Sequence, residues 1–157
     1  MALNRMKMTC KLGAQEIDSQ HLVKRITPND TLKIAQTMLQ SYMGTVDQQE
    51  ETLDEALEEV VKILNDGYGP YIKNASFFIE KNNEACAVIC INLWENKPLI
   101  TEIFVGKSYV NQGLASTLIK RSMHELFLMG HEEIVLYVTV KNVSAVKLYE
   151  KLGFIVV

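Results

Sequence analysis

The stretch from Ile100 to Ser116, ITEIFVGKSYVNQGLAS, constrains this chain more than any other. Thr101 to Val105 are β-branched, aromatic or alternating residues, the make-up of a buried strand. Gly113-Leu114-Ala115 then puts small residues where an amphipathic helix begins. A helix start leaves its first backbone N–H groups unpaired at the positive end of the helix dipole. With little side chain in the way, such a turn holds phosphate well. The loop is neither G-x-G-x-x-G nor G-x-x-x-x-G-K-[ST], so the dinucleotide fingerprint and the P-loop are both excluded. Taken alone, the stretch fits an ordinary strand-to-helix connection equally well.

A second stretch separates these readings. Residues 142 to 154 read N-x-x-A-x-x-x-Y-x-x-x-G-F, carried by Asn142, Ala145, Tyr149, Gly153 and Phe154. Together the two stretches resemble the GNAT superfamily of acyl-CoA-dependent N-acyltransferases, from about Thr31 onward. The resemblance implies acetyl-CoA as co-substrate. Its pyrophosphate would be cradled by the N–H groups of Asn111, Gln112, Gly113, Leu114, Ala115 and Ser116, with Val110 opening the turn. Its sulfur would lie beside Tyr149. The resemblance also implies two parallel central strands that splay apart, so that the pantetheine arm pairs like an added strand along Phe104 and Val105. Asn142 and Ala145 would flank that arm, Asn142 also serving as a helix N-cap. No metal is implied, and His21, His124 and His131 show no ligand spacing.

The periodicity along the chain agrees with that family's order of elements. Residues 1–20 are expected to be an extension or a loose strand around Met6 to Leu12. His21 to Ile26 alternates like a strand. Leu32, Ala35, Met38, Leu39 and Tyr42 recur at helical spacing, and Gly44 closes that helix. Thr52 with Glu55 forms a capping box for a second helix with an acidic outer face. Ser76 to Glu80 and Glu84 to Asn92 read as a hairpin turning at Asn82-Asn83, and Leu99 to Val105 as the next strand. A helix from Gly113, a strand from Ile134 to Val140, a helix from Asn142 and a short last strand complete the chain. The expectation is one domain over residues 1–157. It is an α/β fold with a mixed sheet, antiparallel strands in front, a splayed parallel pair and helices on both faces.

Two departures from the family stand out. The family's sheet ends in one further strand for which this sequence has no residues. Its phosphate turn opens on a side-chain donor where this chain has Val110.

Acyl transfer to an amine requires a neutral amine, a donor aimed at the oxyanion and a proton for the departing thiolate. Glu102, on the strand before the turn, is the candidate base; a surface or ion-paired glutamate is the plainer reading. Tyr149 is the candidate acid, since a phenol stays protonated at working pH; position alone reads it as a core aromatic. The backbone N–H of Val105 or a neighbour is the candidate oxyanion donor. Direct transfer needs no protein nucleophile. Cys86 and Cys90 are therefore expected in the core, on one strand face and roughly 13 Å apart, too far for a disulfide. Asp47, Glu50 and Glu51 are a solvated acidic run or an attraction for a cationic acceptor.

The expected activity is acetyl transfer from acetyl-CoA to a primary amine, on a small molecule or a peptide. The alternative is a weak or inactive acyl-CoA-binding sensor. A net charge of -3 without a basic stripe argues against nucleic acid. No apolar run is long enough to span a bilayer, and no secretory signal is visible, so a cytoplasmic setting is expected. A homodimer is one option for its oligomeric state.

Overall fold

The computed structural model describes residues 4–17 and 20–157. The parts of the N-terminal reading that fall on residues 1–3, 18 and 19 lie outside the described residues. Among the described residues, four helices flank a seven-stranded mixed sheet. The strands are β1 (Arg5–Lys11), β2 (Val23–Arg25), β3 (Phe77–Lys81), β4 (Glu84–Trp94), β5 (Lys97–Val105), β6 (Glu133–Thr139) and β7 (Ile155–Val156). The helices are α1 (Thr31–Tyr42), α2 (Leu53–Leu64), α3 (Leu114–Leu128) and α4 (Val143–Lys151).

Spatial order in the sheet is β2-β3-β4-β5-β6-β1-β7, and only β5 and β6 run parallel. Of the two readings the N-terminal stretch allows, a strand is what forms. β1 pairs with β6 along its whole length, from Arg5 opposite Thr139 to Lys11 opposite Glu133. It also pairs with β7 through Met8 and Thr9, so the sheet has seven strands although only β7 follows α4.

Local chemistry explains the elements that surround the site. Thr52 accepts from the Glu55 N–H at 3.2 Å while the Glu55 carboxylate accepts from the Thr52 N–H at 3.1 Å, so both halves of the capping box form. Asn82 and Asn83 both take the left-handed backbone that a tight hairpin needs. Each face of the sheet then carries its own core. Ile34, Met38, Val60, Ile63 and Phe104 pack on the α1/α2 face. Met8, Leu118, Ile119, Leu136 and Tyr149 pack on the α3/α4 face.

The cysteine expectation needs correction. Cys86 packs in the α3/α4 core and Cys90 in the α1/α2 core, on opposite faces. The pairing of β3 with β4 slips between Ile79 and Glu80, whose partners are Ala87 and Ala85, leaving Cys86 as an extra residue. One inserted residue reverses which face every later side chain takes. All three cysteines are free and buried.

A second bulge positions the site. Cys90 pairs with Glu102 and Ile91 with Ile100, so Thr101 stands unpaired in β5. A bulge bends its strand. Before it, β5 pairs with β6 at Leu99 and Val135; beyond it, the two strands do not pair. The fully buried Asn92 holds the bulge. It accepts from Thr101 Oγ1 at 2.6 Å and donates to the carbonyls of Ile63 and Gly69, each at 3.0 Å. Asn92→Ala is expected to cost about 3 kcal/mol, because one buried and two part-buried groups lose their partner together. Calorimetry should show a Tm lower by roughly 6–12 °C; a fall of under 2 °C would mean the network carries no stability.

Candidate active site

The unpaired stretch between β5 and β6 opens beside the start of α3. Asn111 and Gly113 both have left-handed backbone, with φ of 62° and 74°. A Cβ at Gly113 would meet nothing within 4 Å, so the glycine serves the turn's conformation and leaves the helix end open. No side chain caps this helix. The first helical N–H to reach a protein carbonyl is that of Thr117, bonded to Gly113 O at 3.1 Å. Among the described residues, no N–H from Asn111 to Ser116 donates to a protein acceptor. Such a cluster of open donors at a dipole's positive end suits a diphosphate, so the residues present fit CoA.

The loop itself is braced. Lys81 donates to Gln112 Oε1 at 3.2 Å, and Tyr109 touches Asn82 and Glu84 of the β3–β4 turn at 3.4 Å each. Leu114 anchors the first turn of α3 in the core, while Ala115 and Ser116 are partly exposed beside it. Val110 is 49% exposed and offers no side-chain donor. Gly106 donates to Cys86 O across β4 at 2.8 Å. Successive strand N–H groups point to opposite sides, so the Val105 N–H is turned toward the opening at β6. The Phe104 side chain points into the α1/α2 core, edge-on to Tyr42 with ring centres 5.7 Å apart.

Glu102 lies at this level on the α1/α2 face, with no ion pair to a described residue. Tyr42 donates to its Oε2 at 3.0 Å and also lies 3.3 Å from Ile103 O. Burial pushes the Glu102 carboxyl up to about 8; the Tyr42 hydrogen bond opposes this, and Glu50 and Glu59 reinforce it. Tyr42 is itself raised well above an ordinary phenol, by burial and then by Glu102. The sequence presents Tyr42 only as one residue of an apolar helical stripe, because its partner is 60 positions away.

Tyr149 comes from the opposite face, on α4, with its ring edge-on to Phe154 at 5.9 Å. It is buried, and its pKa is raised by burial, then by Asp47 and Glu102. The Tyr149 hydroxyl makes no hydrogen bond to a described residue. Among the described residues the one buried side-chain polar atom without a partner is His124 Nδ1, so the Tyr149 oxygen keeps an opening to solvent.

Asn142 caps α4 as expected, accepting from the Ala145 N–H at 3.3 Å. Its amide nitrogen is also engaged, donating to Asp47 Oδ2 at 3.0 Å. Tyr68 donates to Glu59 in a very short hydrogen bond, and Tyr71 to Ile26 O at 3.3 Å. Among the described residues no group of three or more His, Cys, Asp or Glu side chains could hold a metal ion.

A split parallel pair with open amides beside it matches one family. The family model described as the acetyltransferase (GNAT) family covers residues 36–154. The chain belongs to this family. The GNAT match includes Tyr42, Glu102, the turn from Asn111 to Ser116 and Tyr149. Within the curated proteins, mycothiol acetyltransferase of Corynebacterium glutamicum (strain R) is 35% identical over 65 residues, 40% of this chain and 22% of that relative. The match thus spans about a fifth of the relative's length. A GCN5-related N-acetyltransferase from Sphaerobacter thermophilus superposes with a TM-score of 0.76 at 14% identity, over 98% of this chain and 48% of that one. The PaiA N-acetyltransferase from Thermoplasma acidophilum, solved with coenzyme A, gives 0.67 at 17% identity, over 84% and 87%. These likenesses establish the GNAT fold. No helix among the described residues is long and apolar enough to cross a membrane.

Proposed function

We propose that this GNAT protein is an N-acetyltransferase that moves the acetyl group of acetyl-CoA directly onto a primary amine, on a small molecule or a peptide in the cytoplasm. One observation carries the reading. A carboxyl held near neutrality and a phenol without a partner among the described residues approach the same gap in the sheet from opposite faces, beside six open backbone amides.

Acetyl-CoA supplies the activated thioester. The amides of Asn111 to Ser116 hold its diphosphate, and the gap along Phe104 and Val105 takes its arm. Glu102 removes one proton from the ammonium, since at pH 7 only about one part in 10³ of the amine is neutral; as the nitrogen bonds to the thioester carbon, its second proton passes to water. The Val105 N–H donates to the carbonyl oxygen as it gains charge. As the carbon–sulfur bond breaks, the Tyr149 hydroxyl gives its proton to the sulfur. The amide and the free thiol leave, and solvent returns the proton from Glu102 to Tyr149.

The test has two arms. Coenzyme A at a hundredfold over its Kd is expected to stabilise the protein by about 2.7 kcal/mol, raising Tm by roughly 5–10 °C. A panel of amines with acetyl-CoA should release free thiol. No rise in Tm sinks the CoA site. Binding without turnover on any amine favours an acyl-CoA sensor, the reading to which the exposed, donor-free Val110 lends weight.

A further inference from the structure

β5 and β6 pair only at Leu99 and Val135, three residues before the level at which Glu102 stands. Glu102 and Tyr149 therefore sit on two halves of the molecule that the sheet does not join at their own level. The α1–α2 loop does join them. On the β5 side it is anchored by Tyr42 on Glu102 and Ile103. Lys107 adds to this, its N–H bonding Gln40 Oε1 at 2.9 Å and its Nζ bonding Met43 O at 2.6 Å. The loop is stiffened from within, with Thr45 Oγ1 on Tyr42 O at 2.8 Å and Gly44 N on Gln48 Oε1 at 2.8 Å. On the β6 side, among the described residues, the hydrogen bonds come from Asp47. Its Oδ1 accepts from Thr139 Oγ1 at 2.6 Å, and its Oδ2 accepts from Asn142 Nδ2 at 3.0 Å. Thr139 ends β6, and Asn142 caps α4, the helix that carries Tyr149.

We propose that Asp47 is a positioning residue. It ties the open end of the split sheet and so fixes Tyr149 and the gap between β5 and β6 relative to Glu102. A carboxylate suits the task because its two oxygens accept one bond each, the one from Thr139 Oγ1 short at 2.6 Å. Asp47 also holds the Asn142 amide in the orientation that leaves Oδ1 for the Ala145 N–H, so the start of α4 is set by the same contact. The catalytic consequence rests on the acetyl-transfer reading; the tie itself does not.

The polarity of the Asp47–Asn142 contact can be reversed, which gives a test that a general packing defect would fail. D47A removes both bonds. N142D sets two carboxylates against each other while keeping an N-cap for Ala145. The double variant D47N/N142D restores one donor facing one acceptor. A misplacement of about 1 Å costs as much as 10²-fold in rate. D47A and N142D are therefore each expected to lower kcat by about ten- to a hundredfold, and in D47A the KM for acetyl-CoA should change less than about threefold. D47N/N142D should return kcat to within about fivefold of the parent.

Hydrogen exchange of the full chain supplies the second readout, and it does not depend on turnover. Amides from residue 139 to 146 should exchange faster in N142D and recover in the double variant. Should D47A fail to fold, N142D and the double variant carry the test. Parent-like kcat and exchange in D47A overturn the proposal, as does N142D that D47N fails to rescue by either readout. Rescue by exchange in a protein without acetyltransferase activity supports the tie and sinks the acetyl-transfer reading alone.

Discussion

Glu102→Gln is expected to lower kcat/KM by about 10²–10⁴ at pH 8, the range that a positioned general base contributes. The pH profile is the sharper part of this result. The carboxyl is pushed up to about 8, chiefly by burial and then by Glu50 and Glu59 against the Tyr42 hydrogen bond. Only its ionised form accepts a proton, so at pH 7 about a tenth of the molecules are competent. kcat/KM should rise about tenfold per pH unit up to about 8 and then level off, and the Gln variant should lack that limb. Tyr42→Phe removes the hydrogen bond that favours the carboxylate, so it should move the limb to higher pH. The stability effect has the opposite sense. The folded carboxyl holds its proton more tightly than the unfolded one, whose pKa is about 4.3. This group's contribution is therefore fully present below about 4.3 and is lost as pH rises through about 8. The Gln variant should show less loss of Tm between pH 5 and 9. Full activity in Glu102→Gln, with the limb intact, would assign the base to another group.

Tyr149→Phe is expected to lower kcat by about 10² while the Kd for coenzyme A stays within about twofold. Burial, with Asp47 and Glu102 adding, holds the phenol above its ordinary pKa, so it keeps its proton throughout the working range. Phe keeps the ring and its edge-on contact with Phe154, and the hydroxyl it lacks makes no hydrogen bond to a described residue. Tm should therefore change by less than about 2 °C. Stopped-flow acetyl transfer and calorimetric titration of coenzyme A check the two halves. An unchanged kcat would return Tyr149 to the role of a core aromatic, and a large fall in Tm would show the hydroxyl to be structural.

The elements that the sequence makes legible are those whose cause is local. The Thr52–Glu55 box, the Asn82-Asn83 turn, the left-handed Gly113 and Gly153, and the Asn142 cap each depend on residues within a few positions. The turn before α3 is legible for the same reason, since open amides at a helix start follow from Gly113 and the lack of a capping side chain. Strand parity is not, because alternation cannot reveal an inserted residue. The bulge at Cys86 sends Cys86 and Cys90 to opposite cores, and the bulge at Thr101 ends the pairing of β5 with β6. Nor is the place of β1 legible, since nothing between Arg5 and Lys11 states that its partner begins at Glu133.

The sequence by itself determined the helices, the hairpin, the open turn before α3 and the family they belong to, because backbone preference and side-chain period act over one or two turns of chain. Tertiary structure alone decided which groups meet at the gap. Tyr42 reaches Glu102 across 60 positions, and Asp47 reaches Thr139 and Asn142 across 92 and 95. Contacts at such separations exist only after the two cores have closed on the sheet, and no local preference of either partner encodes them.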